Sequence, residues 1–276
     1  HIENLQLALD KCFKDGYFMR ATTDFGEELG VKFNHRFTKD ILCQSWSAIA
    51  SVSSKSVQRQ ALQNVSDLID EKAGIIKLLS PAQTKDMYYG YISSYPKGVR
   101  ENGGQYTHAA AWYVKAVALT DSVIDTDNKK FTAHNLLDMI NPIAKNSSEE
   151  GAEMYKGEPY VLAGDVYSNQ DNYGRMGWSW YSGSASILYD TIVRDFIGIN
   201  IQGKIMSFSR PKLDEWQGMT ITYRYKGTVY LIKYDEGNED CIELQGVKIK
   251  GDTAITLEEN AGKRQIKVLF SPLRLK

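Results

Sequence analysis

The feature that most limits the fold is a change of hydrophobic period near Ile199. Upstream, apolar residues recur at helical spacing: Ile2, Leu5, Leu9 and Phe13 up to Gly16, then Ile41, Leu42, Trp46, Ile49 and Val52, then Val57, Ala61, Val65, Leu68 and Ile69 up to Gly74. Steps of three and four residues place such side chains on one face of a helix. Further helices are expected at 109–119, at 131–140 before Asn141-Pro142, and at 184–197 before Gly198. Downstream the period becomes two: 219–225 alternates, Lys226-Gly227 makes a turn, and 228–234 returns as the partner strand. Short strands follow at 241–244, 247–250, 254–257 and 265–270. The expected fold is therefore α + β in two domains, a helical domain over 1–198 and an antiparallel β-sandwich or jelly roll over 199–276.

Charge excludes some partners. With 33 Lys+Arg against 34 Asp+Glu, the 276-residue chain has no overall field to hold nucleic acid or an acidic membrane. No apolar run reaches the ~20 residues that span a bilayer, and the first residues lack the basic start and apolar stretch of a signal peptide. Cys12, Cys43 and Cys241 have no CxxC spacing and read as buried small apolar residues of a reducing, cytoplasmic compartment. Four scattered histidines offer no metal spacing.

Chemistry is expected in three long connections that set glycines beside aromatic, charged and hydroxyl groups: 95–108, 155–167 and 174–185. Ser182-Gly183-Ser184 stands where a helix should begin, which suits either a serine cap or an anion held by free N–H groups. His108 opens the helix near 109–119 and reads either as a satisfied structural histidine or as a ligand group beside Gly103-Gly104. Arg100-Glu101 is either a surface ion pair or a holder of sugar hydroxyls. Glu158-Pro159-Tyr160 is either a helix start with proline in the first turn or a source of acceptor oxygens. Trp178 and Trp180 alternate, so one is expected to pack inward while the other is free to stack.

These segments resemble the C-terminal half of the inverting glycoside phosphorylases, the family that includes cellobiose, cellodextrin and chitobiose phosphorylases, β-1,2-oligoglucan phosphorylase and the phosphorylase-like domain of cyclic β-1,2-glucan synthases. The resemblance runs from about Tyr17 to Ile199 and is carried by Gly98-Val99-Arg100-Glu101-Asn102-Gly103-Gly104 through His108, by Glu158-Pro159-Tyr160-Val161, by Trp178 through Ser184, and by Gln44-Ser45-Trp46. It implies part of an (α/α)6 barrel followed by the β-sandwich. It further implies phosphate binding by His108, Ser182 and Gly183, and sugar binding by Arg100, Glu101, Tyr95, Glu158 and Tyr160. Ser182 stands where many members have threonine. Ala163-Gly164-Asp165 replaces a glutamine that cellobiose phosphorylases carry, which turns the reading towards β-1,2-glucooligosaccharides.

The implied reaction is an inverting attack of phosphate on the anomeric carbon while a carboxylic acid protonates the leaving oxygen. Inorganic phosphate is a co-substrate and no cofactor is implied. The family's general acid is an aspartate in an Asp-Trp-Asn-Asp-Gly-like segment that this sequence does not contain. The chain is accordingly read as a fragment without its catalytic residue. Its implied partners are an oligosaccharide, phosphate and the remainder of the barrel, with a homodimer left open. Two other classes stay open: a non-catalytic carbohydrate-binding or structural module, and an (α/α)6 hydrolase with a second carboxylate to activate water.

Overall fold

The computed structural model describes residues 1–31, 38–87, 90–213, 215–249 and 253–272, so His35 and Lys250 lie outside the described residues. The chain divides into two compact units, His1–Tyr189 and Asp190–Lys276. The division falls inside the last helix, upstream of the change of period.

The first unit is built around one helix. Among the described residues its helices are α1 (Ile2–Asp10), α2 (Ile41–Ile49), α3 (Lys55–Gln63), α4 (Thr107–Thr120), α5 (Ala133–Ile140), α6 (Pro142–Lys145), α7 (Glu149–Tyr155) and α8 (Ser182–Thr191), whose final residues belong to the second unit. Helix α4 is apolar on all sides because alanines let neighbours approach: Ala109, Ala110, Ala111, Tyr113, Val114, Ala116, Val117 and Ala118 are all buried. Helices α2, α3 and α5 pack on it. The Tyr113 hydroxyl donates to Leu62 O at 2.9 Å, fixing α4 against α3.

Helix starts follow local rules. Asp40 accepts from Leu42 N at 2.7 Å to cap α2, and Thr132 and Asn135 form a reciprocal capping box on α5. Some sequence expectations fail here. The stripe from Val57 to Ile69 is not one helix, since α3 stops at Gln63 and a 3₁₀ turn, Ser66–Leu68, leads into a two-residue ladder of Ile69–Asp70 with Ile75–Ile76. Phe131 lies in a ladder with Ile124 instead of in α5. Helix α1 forms but buries none of its residues.

The backbone between these helices is satisfied by side-chain amides acting as strand partners. Gln44 bonds both N and O of Phe18 (2.8 and 3.1 Å), and Gln63 bonds both N and O of Asp125 (2.9 and 2.7 Å). Asn102 does the same for Gln83 (2.6 and 3.1 Å). Buried peptide groups need such partners, and hydrophobic spacing gives no sign of where they come from.

The second unit is a pair of sheets around one core. One sheet has three antiparallel strands in the order Ile199–Gln202, Ile205–Phe208, Ala254–Thr256. The other has five, in the order Thr220–Tyr225, Thr228–Glu236, Lys263–Phe270, Cys241–Leu244, Val247–Ile249. The expectation of a wholly antiparallel sandwich is corrected by one pair: Thr228–Glu236 and Lys263–Phe270 run parallel. Alternation in Thr228–Glu236 turns Tyr230, Ile232 and Tyr234 inward, where they meet Ile266, Val268 and Phe270 of its own sheet and Met206, Phe208 and Ile255 of the other. The Lys226-Gly227 turn has both residues at positive φ (40° and 78°), matching the twist of the hairpin it closes.

Candidate active site

All the site residues expected from the sequence lie in the first unit. The loop 95–108 folds back on itself. Gly98 N–H donates to Asn102 O at 2.7 Å, and a Cβ on Gly98, at φ +80°, would lie 2.4 Å from Asn169 N, so no other residue fits there. Asn102 is completely buried and also donates to Tyr95 O at 2.8 Å. This bracing holds Arg100 at φ +50°, a left-handed conformation, where its N–H donates to Asp165 Oδ2 at 3.2 Å.

The Arg100 guanidinium lies 4.3 Å from the Trp178 ring centre and 5.1 Å from that of Tyr95, close to two π faces at once. Its Nε is 3.7 Å from Glu101 Oε2, and Glu101 accepts a hydrogen bond from the Tyr91 hydroxyl at 3.3 Å. With its side chain only 12% exposed, Glu101 is no surface partner, and the reading of this pair as a plain surface ion pair is corrected.

Asp165 enters from the strand Asp165–Val166, which pairs with Gln105–Tyr106 just before α4. It is wholly buried, and burial pushes its carboxyl up to about 6, against the lowering effect of the Arg100 N–H and charge. A Cβ on Gly177 would fall 1.8 Å from Asp165 Oδ1, so the carboxyl rests on bare backbone.

His108 is the second residue of α4, and Ser182 and Gly183 are the first two of α8. Helix α8 begins earlier than the 184–197 reading; Ser184 donates its hydroxyl to Tyr181 O at 3.0 Å, and the N–H groups of Ser182 and Gly183 fall in the first turn, which lacks intrahelical acceptors. The two helix starts converge. A Cβ on Gly183 would lie only 3.1 Å from His108 Nδ1, so glycine leaves the imidazole room that a methyl would crowd. Burial lowers the His108 pKa from 6.5, which favours the neutral ring.

An unbroken run of rings joins these parts. Trp46 meets Trp112 (5.1 Å between centroids), Trp112 meets His108 (4.3 Å), His108 meets Tyr181 (6.2 Å), and Tyr181 meets Trp178 (5.9 Å), which lies against Arg100. The hydroxyls of Tyr106 and Tyr181 share a hydrogen bond. Glu158 and Tyr160 make contacts of their own. Glu158 accepts from Ser179 Oγ at 3.3 Å, while Tyr160, 73% exposed, meets the equally open Trp180 at 6.2 Å. Glu158-Pro159-Tyr160 forms a turn and not the helix start that its proline suggests.

Asp165, Tyr106 and Tyr181 lie in the three connections where chemistry is expected, but neither they nor Trp112 are among the residues assigned to phosphate or sugar from the sequence. A buried acid beside a glycine-rich strand was the available sign for Asp165. For the tyrosines and Trp112 the segments were visible but the pairings were not, because their partners are remote in sequence. Of the three cysteines, only Cys241 is buried; Cys12 and Cys43 are half-buried and all three are free, which corrects the expectation of three buried thiols. Among the described residues no helix is long and apolar enough to cross a membrane.

Residues 1–198 match the family described as the glycosyl hydrolase 94 superfamily, catalytic domain. A cyclic β-(1,2)-glucan synthase, NdvB, of Rhizobium meliloti (strain 1021) is 38% identical over 236 residues, covering 84% of this chain and 8% of that protein. N,N'-diacetylchitobiose phosphorylases of Vibrio proteolyticus and Vibrio furnissii are each 20% identical, over 86% and 92% of this chain. The chain spans 29% and 31% of the length of those two enzymes.

Proposed function

This chain belongs to the glycosyl hydrolase 94 superfamily, and from that premise we propose that it forms the phosphate- and sugar-holding part of an inverting glycoside phosphorylase acting on a β-1,2-glucooligosaccharide. The helical unit is read as part of an (α/α)6 barrel. The observation that carries the reading is the meeting of His108 with the start of α8 at Gly183, beside an arginine held against two aromatic rings. Free N–H groups and the positive helix end attract an oxyanion, and an imidazole with one protonated nitrogen adds a donor. The rings from Trp112 to Trp178 offer flat faces to a sugar, and Arg100 and Glu101 offer donors and acceptors for its hydroxyls.

In this reading a phosphate oxygen held by His108, Ser182 and Gly183 attacks the anomeric carbon. The glycosidic C–O bond breaks, its oxygen takes a proton from a carboxylic acid, and the product is α-glucose 1-phosphate. Phosphate brings its own nucleophilic oxygen, so the chain's task is to position it and to steady developing charge. Asp165 is not that acid, since it is fully buried behind Arg100. The acid is assigned to a segment outside these 276 residues. The likeness to the glucan synthase supports the β-1,2 linkage, and the free cysteines support a reducing, cytoplasmic setting.

The test measures binding of inorganic phosphate and of β-1,2-glucotriose to the chain, together with release of sugar 1-phosphate. Both ligands are expected to bind without release, and His108→Ala should weaken phosphate about tenfold or more while changing sugar affinity little. Loss of sugar affinity with phosphate unchanged would overturn the role of His108. Binding of neither ligand would overturn the reading as a whole, and phosphate-dependent release would place the acid inside this chain.

A further inference from the structure

We infer that Asp165 is the positioning residue that sets Arg100 for sugar binding; this rests on the function proposed above for what Arg100 binds, but not for how Arg100 is held. Asp165 Oδ2 accepts the Arg100 N–H at 3.2 Å, across 65 residues of sequence. That bond adds to the loop's own Asn102 N–H to Val99 O closure in holding a non-glycine residue at φ +50°, a conformation that costs energy unless its surroundings impose it. Turning Arg100 to ordinary φ would carry its guanidinium away from the Trp178 and Tyr95 rings. The same loop leaves no slack elsewhere: a Cβ on Gly104 would stand 2.9 Å from Gly98 O and 3.0 Å from Arg100 N.

Asp165 itself cannot drift. Its backbone is paired with Tyr106, its O accepts from Gly177 N at 3.0 Å, and Gly177 leaves no side chain between the carboxyl and the strand beneath it. The titratable groups around the carboxyl are Arg100 and Glu101 from the glycine loop and Tyr167, just past its own strand, while Tyr106 pairs with Asp165 across the ladder. Arg100 favours the ionised carboxylate and Glu101 opposes it. With the carboxyl titrating near 6, the grip on Arg100 is strongest above that pH and relaxes below it.

The chain itself serves for the experiment. Protons on the Arg100 side chain lie near two ring faces and should resonate far upfield in NMR spectra, with an Arg100→Lys spectrum giving the assignment. In Asp165→Ala these resonances should return towards ordinary arginine shifts. In Asp165→Asn, whose amide oxygen can still accept the N–H, they should stay upfield, and their movement with pH, centred near 6 in the unaltered chain, should vanish. Affinity for β-1,2-glucotriose should fall tenfold or more in Asp165→Ala and no more than about threefold in Asp165→Asn, with affinity for inorganic phosphate within about twofold in both. Unchanged Arg100 shifts in Asp165→Ala would overturn the inference, as would equal loss of sugar and phosphate affinity in a folded variant. If the unaltered chain binds no sugar while its Arg100 shifts follow Asp165 as stated, the positioning role stands and the functional reading falls.

Discussion

The two units hold their backbones in opposite ways. In the second, alternation decides burial: Tyr230, Ile232 and Tyr234 face the core, and Leu231 and Lys233 face out. In the first, irregular chain between helices is tied down by amide side chains that reach across the sequence, from Gln44 to Phe18, Gln63 to Asp125 and Asn102 to Gln83. The difference teaches where function can be built. A sheet core that depends on apolar area tolerates exchange of one side chain for another of like volume. A glycine-rich loop held by polar ties does not, but it can keep Arg100 in a conformation that a regular element would refuse.

The comparison breaks most sharply at Asn102. Its side chain makes three hydrogen bonds to peptide groups and is fully buried, so Asn102→Ala leaves two buried groups of Gln83 and the half-buried Tyr95 O without that partner. At roughly 1–3 kcal/mol for each such group, the expected loss is about 4 kcal/mol in denaturant unfolding. Ile232→Ala, in the heart of the second unit, removes apolar contacts at a fully buried site and should cost roughly 3–4 kcal/mol. It should leave the Arg100 and His108 resonances where they are. A smaller loss for Asn102→Ala than for Ile232→Ala would mean that the polar ties are decoration and that the two units are stabilised alike.

Next in size is a dependence on pH. Asp165 has a folded pKa of about 6 against 3.8 for an unperturbed carboxyl, so the folded chain holds a proton that the unfolded chain has already lost between these values. Stability should therefore fall as pH rises from about 4 to about 6, by at most about 3 kcal/mol at 1.36 kcal/mol per unit. Asp165→Asn should flatten that slope in unfolding curves taken across the range. A slope unchanged by the substitution would move its origin to another group.

How much of this was readable beforehand follows the same division. The hairpin at Lys226-Gly227 and the strands that follow it were legible because period two and turn residues are local signals, whereas the pair Ile199–Gln202 and Ile205–Phe208 was not read. The parallel pairing of Thr228–Glu236 with Lys263–Phe270 was not, since alternation states which face is buried and not which strand lies alongside. In the first unit, α4 was legible from its alanines, whereas the stripe from Val57 to Ile69 concealed a break at Asn64, whose side chain turns away to bond Gly16 O at 2.8 Å. The glycine loop and the Trp178–Ser184 segment announced themselves as contiguous motifs. Asp165 under Arg100, and Tyr106 with Tyr181, are pairings that only the fold makes.

The smallest effect concerns the one part of the site that depends on a helix end in place of a polar tie. Burial holds the free His108 pKa below 6.5, so the ring charges only in mildly acidic solution. A phosphate seated at Ser182 and Gly183 would favour the imidazolium and raise that pKa. Thermodynamic linkage then demands the reverse effect: for a given charge of phosphate, binding should tighten as pH falls through the His108 pKa of the complex and level off below that of the free chain. Two-dimensional NMR of the imidazole, with and without saturating phosphate, reads both pKa values. Gly183→Ala puts a methyl 3.1 Å from His108 Nδ1, which should cut phosphate affinity and shrink the separation between the two titrations while unfolding free energy changes little. Equal titrations with and without phosphate would leave α8 as a plain helix start, and His108 as one more ring in the aromatic run between Trp112 and Tyr181.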